Sequence, residues 1–143
     1  TVLTKSANSY DNFDRLASSA QISVDATTRY SITQYSYDAA GRLDCTAVRM
    51  NLTSAATPLP SNVCVKMTAG LNGEDRITRN YYDTADRVTQ VWSAVDTAFA
   101  QQSAEMAYNP NGTVTWVEDA KNNRTSYVYD GHDRTRRINY PSQ

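Results

Sequence analysis

Apolar and polar residues alternate along most of this chain, in short runs separated by clusters of turn-forming residues. The stretch YSYDAAGRL, residues 35–43, illustrates the pattern. Its two tyrosines lie two positions apart and so share one face of an extended strand, and Asp, Ala, Ala and Gly follow as turn residues. A period of two is typical of a strand that is half buried in a sheet. The pattern therefore predicts an all-β fold of short strands and tight turns.

Nearly the same string returns in five copies, at about residues 10–16, 37–43, 82–88, 108–114 and 129–135. Each copy has Tyr, then Asp or Asn, two variable residues, and then Gly or Asp; Arg follows in four copies and Thr in one. A weaker copy runs from Glu118 to Thr125. The repeat positions that we single out as structural are Tyr10, Asp11, Arg15, Tyr37, Asp38, Gly41, Arg42, Tyr82, Asp83, Arg87, Tyr108, Asn109, Gly112, Tyr129, Asp130 and Arg134.

Every position of the repeat suits a hairpin turn. Asp or Asn at the first turn position accepts hydrogen bonds from backbone N–H groups further round the turn. A type I turn followed by one residue with positive φ is a common hairpin loop, and Gly, Asp and Asn adopt positive φ most readily. The Arg that follows resumes the strand, where it can lie over a cross-strand tyrosine ring. We expect positive φ at Gly41, Gly112, Asp14, Asp86 and Asp133.

One hairpin is marginally stable in water, so neighbouring hairpins must stack to bury their tyrosine faces. The sequence predicts consecutive antiparallel β-hairpins that form a twisted repeat strip, in a single repeat region over residues 1–143. The strip leaves two edge strands with unpaired backbone groups, and such edges recruit partners. The run TVLTK, residues 1–5, is an unprotected strand-like edge, and NYPSQ, residues 139–143, offers only one terminal proline.

The repeated string resembles the YD repeat of RHS proteins, whose core motif is Tyr-x-Tyr-Asp-x-x-Gly-Arg-Leu, over about residues 8–141. The chain departs from it where Asp14, Asp86 and Asp133 replace Gly and Thr113 replaces Arg. The resemblance implies an all-β strip that spirals into a shell, in bacterial secreted or cell-surface proteins. In many members the shell encapsulates a C-terminal toxin. This chain has neither the closing motif nor a toxin domain, and it resembles shell wall or a β-filament.

Residues 44–80 form a long excursion between copies of the repeat. DCTAVRM, residues 44–50, and NVCVKM, residues 62–67, alternate like paired strands, and TSAATPLPSN, residues 53–62, is predicted to be an exposed loop between them. Cys45 and Cys64 are the two cysteines. They form either a disulfide that ties the base of this loop or two unpaired buried thiols, and we favour the disulfide in an exported protein.

Residues 91–108, VWSAVDTAFAQQSAEMAY, admit two interpretations. Alanine and glutamine favour a helix. Gln102, Ala104, Met106 and Tyr108 alternate into a hairpin turn, which favours a strand. We prefer the strand.

Composition excludes several classes of function. The net charge is −1, so the chain offers no general basic surface for nucleic acid. No apolar run is long enough for a transmembrane segment.

The first residue is Thr1 and no leader follows, so we interpret the chain as a processed product or a piece of a longer one. The family resemblance places it outside the cell or on a bacterial cell surface.

Candidate catalytic residues are few. His132 is the single histidine and lies within a repeat turn, where a solvated side chain is the simpler interpretation. The repeated Asp pairs lack the dense oxygen ligands of calcium loops, and RTRR, residues 134–137, is read as a solvated strand face. We therefore predict no enzyme, no metal and no cofactor. The expected partners are other copies or the remainder of a longer RHS chain, through edge strands. An alternative function is binding of cell-envelope carbohydrate through exposed Tyr and Trp faces.

Overall fold

A computed structural model describes residues 4–52 and 58–142. Parts of the predicted edge run 1–5, the loop 53–62 and the segment 139–143 lie outside the described residues. The strands are β1 Thr4–Tyr10, β2 Leu16–Ser23, β3 Arg29–Tyr37, β4 Leu43–Val48, β5 Arg76–Tyr82, β6 Val88–Ser93, β7 Gln101–Tyr108, β8 Val114–Asp119, β9 Arg124–Tyr129 and β10 Thr135–Asn139. They belong to one sheet in which each strand follows its sequence neighbour and runs antiparallel to it, in the order β1 to β10. The predicted all-β fold of consecutive antiparallel strands is confirmed.

The chain divides into two compact units. The first comprises Thr1–Arg79 with Ser93–Ala100, and the second comprises Asn80–Trp92 with Gln101–Gln143. Repeat turns occur in both units. A single repeat region over residues 1–143 stays a prediction.

The first unit has a small buried core. Cys45 and Ala47 alternate on β4 and point to the same face as Ile77 of β5, and Val63 covers them from the excursion. In the second unit, by contrast, no side chain of the described residues is fully buried. The side chains of β6 to β9 are mostly half buried, as expected where tyrosine and threonine replace large aliphatic residues, and those of β10 are mostly exposed.

The prediction that residues 62–67 pair with β4 as a strand is wrong. β4 pairs instead with β5, where Cys45 lies opposite Arg79 and Val48 opposite Arg76. The segment that contains Val63 and Val65 is a run of bends and turns. The Arg49 guanidinium takes the place of a partner strand, because Nη2 donates to the Val63 carbonyl at 3.1 Å and Nη1 to the Val65 carbonyl at 2.8 Å.

The excursion is anchored by a buried ion pair. Arg49 and Asp75 are 1 % and 4 % exposed, and Arg49 Nη1 lies 2.8 Å from Asp75 Oδ2. The backbone N–H groups of Met50 and Met67 donate to the same carboxylate at 2.8 and 2.9 Å, while Arg49 Nε donates to Gln34 Oε1 at 2.6 Å. Every charged atom therefore has a partner, which a buried pair requires.

Burial alone raises the pKa of Asp75, but the two backbone N–H groups and the Arg49 guanidinium outweigh it and leave the pKa below its ordinary value. The folded chain therefore prefers the ionised carboxylate. This contribution to stability is present above the ordinary pKa of an aspartate and is lost as the pH falls through the lowered value.

The structure contains the Cys45–Cys64 disulfide, with the two Cα atoms 5.5 Å apart. Between β6 and β7, residues 94–100 form turns, in which the Thr97 N–H donates to the Ala94 carbonyl at 3.2 Å. For residues 91–108 we preferred a strand over a helix: residues 91–93 and 101–108 are strand, whereas residues 94–100 are not. Within the described ranges no helix is long and apolar enough to cross a membrane.

We expect Arg49→Met to lower the free energy of unfolding by about 3–5 kcal/mol, because it leaves the Asp75 carboxylate buried without its cation. Arg76→Met is the matched control, since Arg76 is adjacent to Asp75 but exposed. The measurement is urea unfolding followed by far-ultraviolet circular dichroism, because both tryptophans, Trp92 and Trp116, lie in the second unit. Equal midpoints for the two variants would contradict the anchoring role.

Candidate functional site

The repeat turns share one backbone geometry. In the second copy the Asp38 N–H donates to the Arg42 carbonyl at 2.8 Å, and the Gly41 N–H donates to the Asp38 carbonyl at 2.9 Å. The same two bonds close the turns that begin at Asp11, Asp83, Asn109 and Asp130. The register shifts at the start of the outgoing strand, as a bulged hairpin requires.

The fourth turn position has positive φ in all five copies, which confirms the prediction. The values are 85° at Gly41, 92° at Gly112, 59° at Asp14, 61° at Asp86 and 59° at Asp133. Aspartate tolerates this left-handed region better than most residues. Replacement of the motif glycine by aspartate therefore preserves the turn.

The aspartate of the turn binds both backbone and side chain. Asp38 Oδ1 accepts the N–H groups of Ala40 and Arg42, each at 2.9 Å. Asp38 Oδ2 accepts Arg42 Nε at 2.7 Å and lies 2.7 Å from Arg42 Nη2. We call this arrangement of the first, third and fifth turn residues the aspartate clamp. It recurs with the same atoms at Asp11, Asp83 and Asp130.

The clamp lowers the pKa of its carboxylates. Hydrogen bonds from the arginine side chain are the largest cause at Asp11, Asp38 and Asp83, and the His132 backbone N–H is the largest cause at Asp130. A lowered pKa means that folding favours the ionised form. The contribution of the clamps to stability is therefore present above the ordinary pKa of aspartate and is lost as the pH falls through the lowered pKa values.

Two turns vary the clamp. Where Thr113 replaces Arg, Asn109 replaces Asp, and Asn109 Nδ2 donates to Thr113 Oγ1 at 2.9 Å, so a neutral pair replaces a charged one. In the weaker copy, Asp119 accepts the backbone N–H groups of Lys121 and Asn123, and Asn122 has a φ of 62°. This is a complete turn. In the sequence it is a weaker copy because the Tyr and the Gly-Arg pair of the repeat are missing. The signal was present in Asp119 and Asn122.

Consecutive hairpins are joined by the tyrosine of the repeat. In the first unit, the Tyr37 hydroxyl of the second copy donates to the Leu16 carbonyl of the first copy at 3.1 Å. The Arg15 guanidinium lies over the Tyr37 ring, 4.4 Å from its centroid. We call this pair of contacts the inter-repeat lock. It binds the tyrosine of one hairpin to the arginine and the next residue of the hairpin before it.

The lock recurs in the second unit. The Tyr108 hydroxyl donates to the Val88 carbonyl at 2.7 Å, and the Arg87 guanidinium lies 4.6 Å from the Tyr108 ring centroid. Tyr129 donates to the Val114 carbonyl at 2.9 Å. Here the preceding hairpin has Thr113 in place of Arg, so the hydrogen bond is kept without the guanidinium. The sequence predicted stacking of arginine on tyrosine but not the hydroxyl–carbonyl bond.

The other predicted residues are Tyr82, His132 and the two cysteines. Tyr82 is half buried as the last residue of β5. His132 is exposed in its turn. Among the described residues, Asp44, Cys45 and Cys64 form a group with ligand atoms within 4.8 Å of one another. The sulfur atoms of Cys45 and Cys64 are joined in the disulfide, so this group has no thiolate that could bind zinc.

The chain matches no family model and no curated protein. Among solved structures it is similar to a chain in the crystal structure of TcdB2-TccC3-Cdc42. The identity is 14% and the TM-score 0.44, over 94% of this chain and 9% of that one. The chain thus spans about a tenth of the length of the chain that it matches.

We expect Gly112→Val to destabilise the protein by about 1–2 kcal/mol or more, because a β-branched residue is strained at positive φ. Gly131→Val is the matched control: Gly131 is also a turn glycine, and a Cβ at either position meets nothing within 4 Å. Thermal unfolding of both variants measures the difference. A control as unstable as Gly112→Val would show that φ is not the cause.

We expect Arg42→Met to move the pKa of Asp38 back toward the ordinary value, because the Arg42 side chain is the largest cause of its lowering. The pKa of Asp83, which belongs to another clamp, should not move. Carboxylate carbon shifts recorded by NMR during an acid titration give both values in one sample. An unchanged Asp38 would show that the guanidinium contributes nothing to the clamp.

Proposed function

We propose that this chain is a structural repeat module of a bacterial secreted or cell-surface protein of the RHS type. Its role is to form shell wall, or to self-assemble, through pairing of strands. The observation that supports the proposal is the recurrence of the inter-repeat lock with the same atoms in both units. The repeated tyrosines therefore join one hairpin to the next.

The lock suits a wall because it acts only between neighbours. Leu16 and Tyr37 belong to the adjacent strands β2 and β3, and Val88 and Tyr108 belong to the adjacent strands β6 and β7. The free energy of unfolding of such an array is about the sum of the stabilities of its repeats and of the contacts between neighbours, so repeats can be added without changing the contacts of the others.

The proposed location outside the cell is supported by the Cys45–Cys64 disulfide. Disulfides of this kind form and persist in oxidising compartments and are rare in the cytosol of mesophiles.

We also propose that the chain is not an enzyme. Nucleophilic catalysis by Ser or Cys needs a base within hydrogen-bond reach. The single histidine, His132, is an exposed turn residue, and its backbone N–H is engaged by Asp130. Both cysteines are in the disulfide.

A second candidate function is binding of envelope carbohydrate. It is favoured by a cavity of about 630 Å³ in the second unit, lined by Tyr127 and Tyr140 together with Asp119 and Asn123. Tyr140 is 75% exposed, and sugars stack on such rings. If this function operates, a soluble envelope polysaccharide should quench tryptophan fluorescence saturably, and Tyr140→Ala should abolish the effect.

The structural role predicts that Tyr108→Phe raises amide hydrogen exchange in both hairpins that its hydroxyl joins, around β6 and β7. The loss of one hydrogen bond, about 1 kcal/mol, corresponds to roughly a fivefold faster exchange. Tyr140→Phe is the matched control, because Tyr140 is 75% exposed. Mass spectrometry of peptides from the exchanged protein gives the comparison. Equal exchange in the two variants would refute the lock as a structural element.

A further inference from the structure

A carboxylate lies beside the disulfide of the first unit. Asp44 Oδ2 is 3.5 Å from the sulfur of Cys64, and the ligand atoms of Asp44, Cys45 and Cys64 all lie within 4.8 Å of one another. A disulfide sulfur has no proton to donate, so the carboxylate gains no hydrogen bond from this contact in the oxidised chain. The contact becomes favourable once the sulfur carries a proton or a metal ion.

Cys64 is held in place by contacts that do not involve its sulfur. The backbone carbonyls on either side of it, those of Val63 and Val65, accept hydrogen bonds from Arg49 at 3.1 and 2.8 Å. The N–H of Cys64 donates to Asn62 Oδ1 at 3.0 Å. These bonds stay in place when the disulfide is reduced, so we expect the Cys64 thiol to keep its position.

Cys45 is held by the sheet. It is a fully buried residue of β4 and lies opposite Arg79 of β5. Its N–H donates to Ser36 Oγ at 3.2 Å. The position of Cys45 is therefore also independent of the disulfide. Reduction leaves two thiols next to each other and next to Asp44.

Asp44 is oriented by an arginine. Arg79 Nε donates to Asp44 Oδ1 at 2.8 Å, while Asp44 Oδ2 is the oxygen beside the sulfur of Cys64. The Asp44 side chain is 21% exposed. Carboxylates that bind metal ions are themselves hydrogen-bonded in this manner, which fixes the oxygen that faces the metal. Two thiolates and one carboxylate are ligands that zinc binds.

We propose that the reduced form of this chain binds one zinc ion through Cys45 Sγ, Cys64 Sγ and Asp44 Oδ2. A tetrahedral zinc ion places its two sulfur ligands about 3.8 Å apart, since each Zn–S bond is about 2.3 Å long. Rotation of the Cys64 side chain provides this separation, because Cys64 is a half-buried residue of a turn. Water completes the fourth position of the zinc ion.

The disulfide switches this site off. A phosphine and a water molecule convert the disulfide to two thiols, and the phosphine becomes its oxide. Zinc then displaces the two thiol protons, because the metal binds thiolates. Oxidation by another disulfide reverses these steps: the two sulfurs give up two electrons and form their bond, the oxidant becomes two thiols, and the zinc ion leaves.

The site belongs to a reducing compartment, whereas the disulfide belongs to an oxidising one. Zinc stabilises the reduced chain to which it binds, and it covers both thiols until the chain is oxidised. Sequence alone did not predict this site, because Asp44 and Cys64 are 20 positions apart. The site shares no residue with the inter-repeat lock, so it does not depend on the proposed structural role.

Spectroscopic titration with Co²⁺ tests the site, on the 143-residue chain reduced by a phosphine. Cobalt that replaces zinc on thiolates gives a sulfur-to-metal absorption in the near ultraviolet, which carboxylates alone do not give. The reduced chain should bind one Co²⁺ with this absorption, and Zn²⁺ should displace it. The oxidised chain has the same carboxylates and should show no such absorption. Zinc should also slow alkylation of both thiols, measured by intact mass.

The matched variants are Asp44→Asn and Asp14→Asn. Asparagine at position 44 keeps an oxygen for Arg79 but removes the charged ligand, so Co²⁺ affinity should fall at least about tenfold. Asp14 is an exposed turn residue with a φ of 59°, which asparagine also adopts. Reduced Asp14→Asn should therefore bind Co²⁺ as wild type does.

Three results overturn the proposal: no sulfur-to-metal absorption in the reduced chain, equal binding by the oxidised and reduced chains, or equal affinity of the two variants. Far-ultraviolet circular dichroism before and after reduction measures the fold. A reduced chain that is unfolded and that zinc does not refold also overturns it, because the site then has no scaffold. Hydrogen exchange around Tyr108 tests the structural role separately, so failure of one does not imply failure of the other.

Discussion

The rest of this molecule depends on the hydrogen bonds of the carboxylate that occupies the first position of four of the five repeat turns. Asp38 holds two backbone N–H groups with one oxygen and the Arg42 guanidinium with the other. Binding of the backbone fixes the turn, whose fourth residue, Gly41, has the positive φ that glycine adopts without strain. Binding of the guanidinium orients a flexible side chain before it meets anything else. At Arg15 and Arg87 an arginine oriented in this way meets the tyrosine of the next hairpin. Local turn chemistry thereby becomes the contact between repeats.

Both units contain clamps and a lock, and they differ in the other contacts that stabilise them. The first has a small apolar cluster, a disulfide and the buried pair of Arg49 and Asp75. The second has half-buried strands, clamps and locks, with no fully buried side chain among its described residues. Exposed ion pairs contribute little individually. The clamps are more effective than isolated pairs because the same carboxylate also binds two backbone groups.

Local features of the fold were predictable from the sequence. The repeat gave the turns, their positive φ and the antiparallel order, because each depends on residues within seven positions of one another. The excursion was not predictable. Residues 62–67 alternate like a strand, but their carbonyls bind the side chain of Arg49, and an arginine in a strand pattern is normally a solvated residue.

The candidate site was predictable in part. Tyrosine and arginine were identified by repetition, and their stacking follows from their chemistry. The bond from the Tyr37 hydroxyl to the Leu16 carbonyl could not be predicted, because every residue has a backbone carbonyl and the residue type does not indicate which one accepts. The turn after β2 was missed for a similar reason: the Ser23 N–H donates to the Thr28 carbonyl at 2.8 Å and Ala26 has a φ of 60°, without any tyrosine or glycine to signal it.

The disulfide has a mechanical consequence for the chain. Cys45 and Cys64 are 19 positions apart in sequence, whereas their Cα atoms are 5.5 Å apart. A pulling force along the backbone passes through the sulfur atoms and bypasses the intervening loop. Roughly 65 Å of contour length, the extended span of those 19 residues, is therefore withheld when the chain is stretched. The Arg49–Asp75 anchor spans part of the same excursion without a covalent bond, so it yields under tension while the loop closed by the sulfurs stays short.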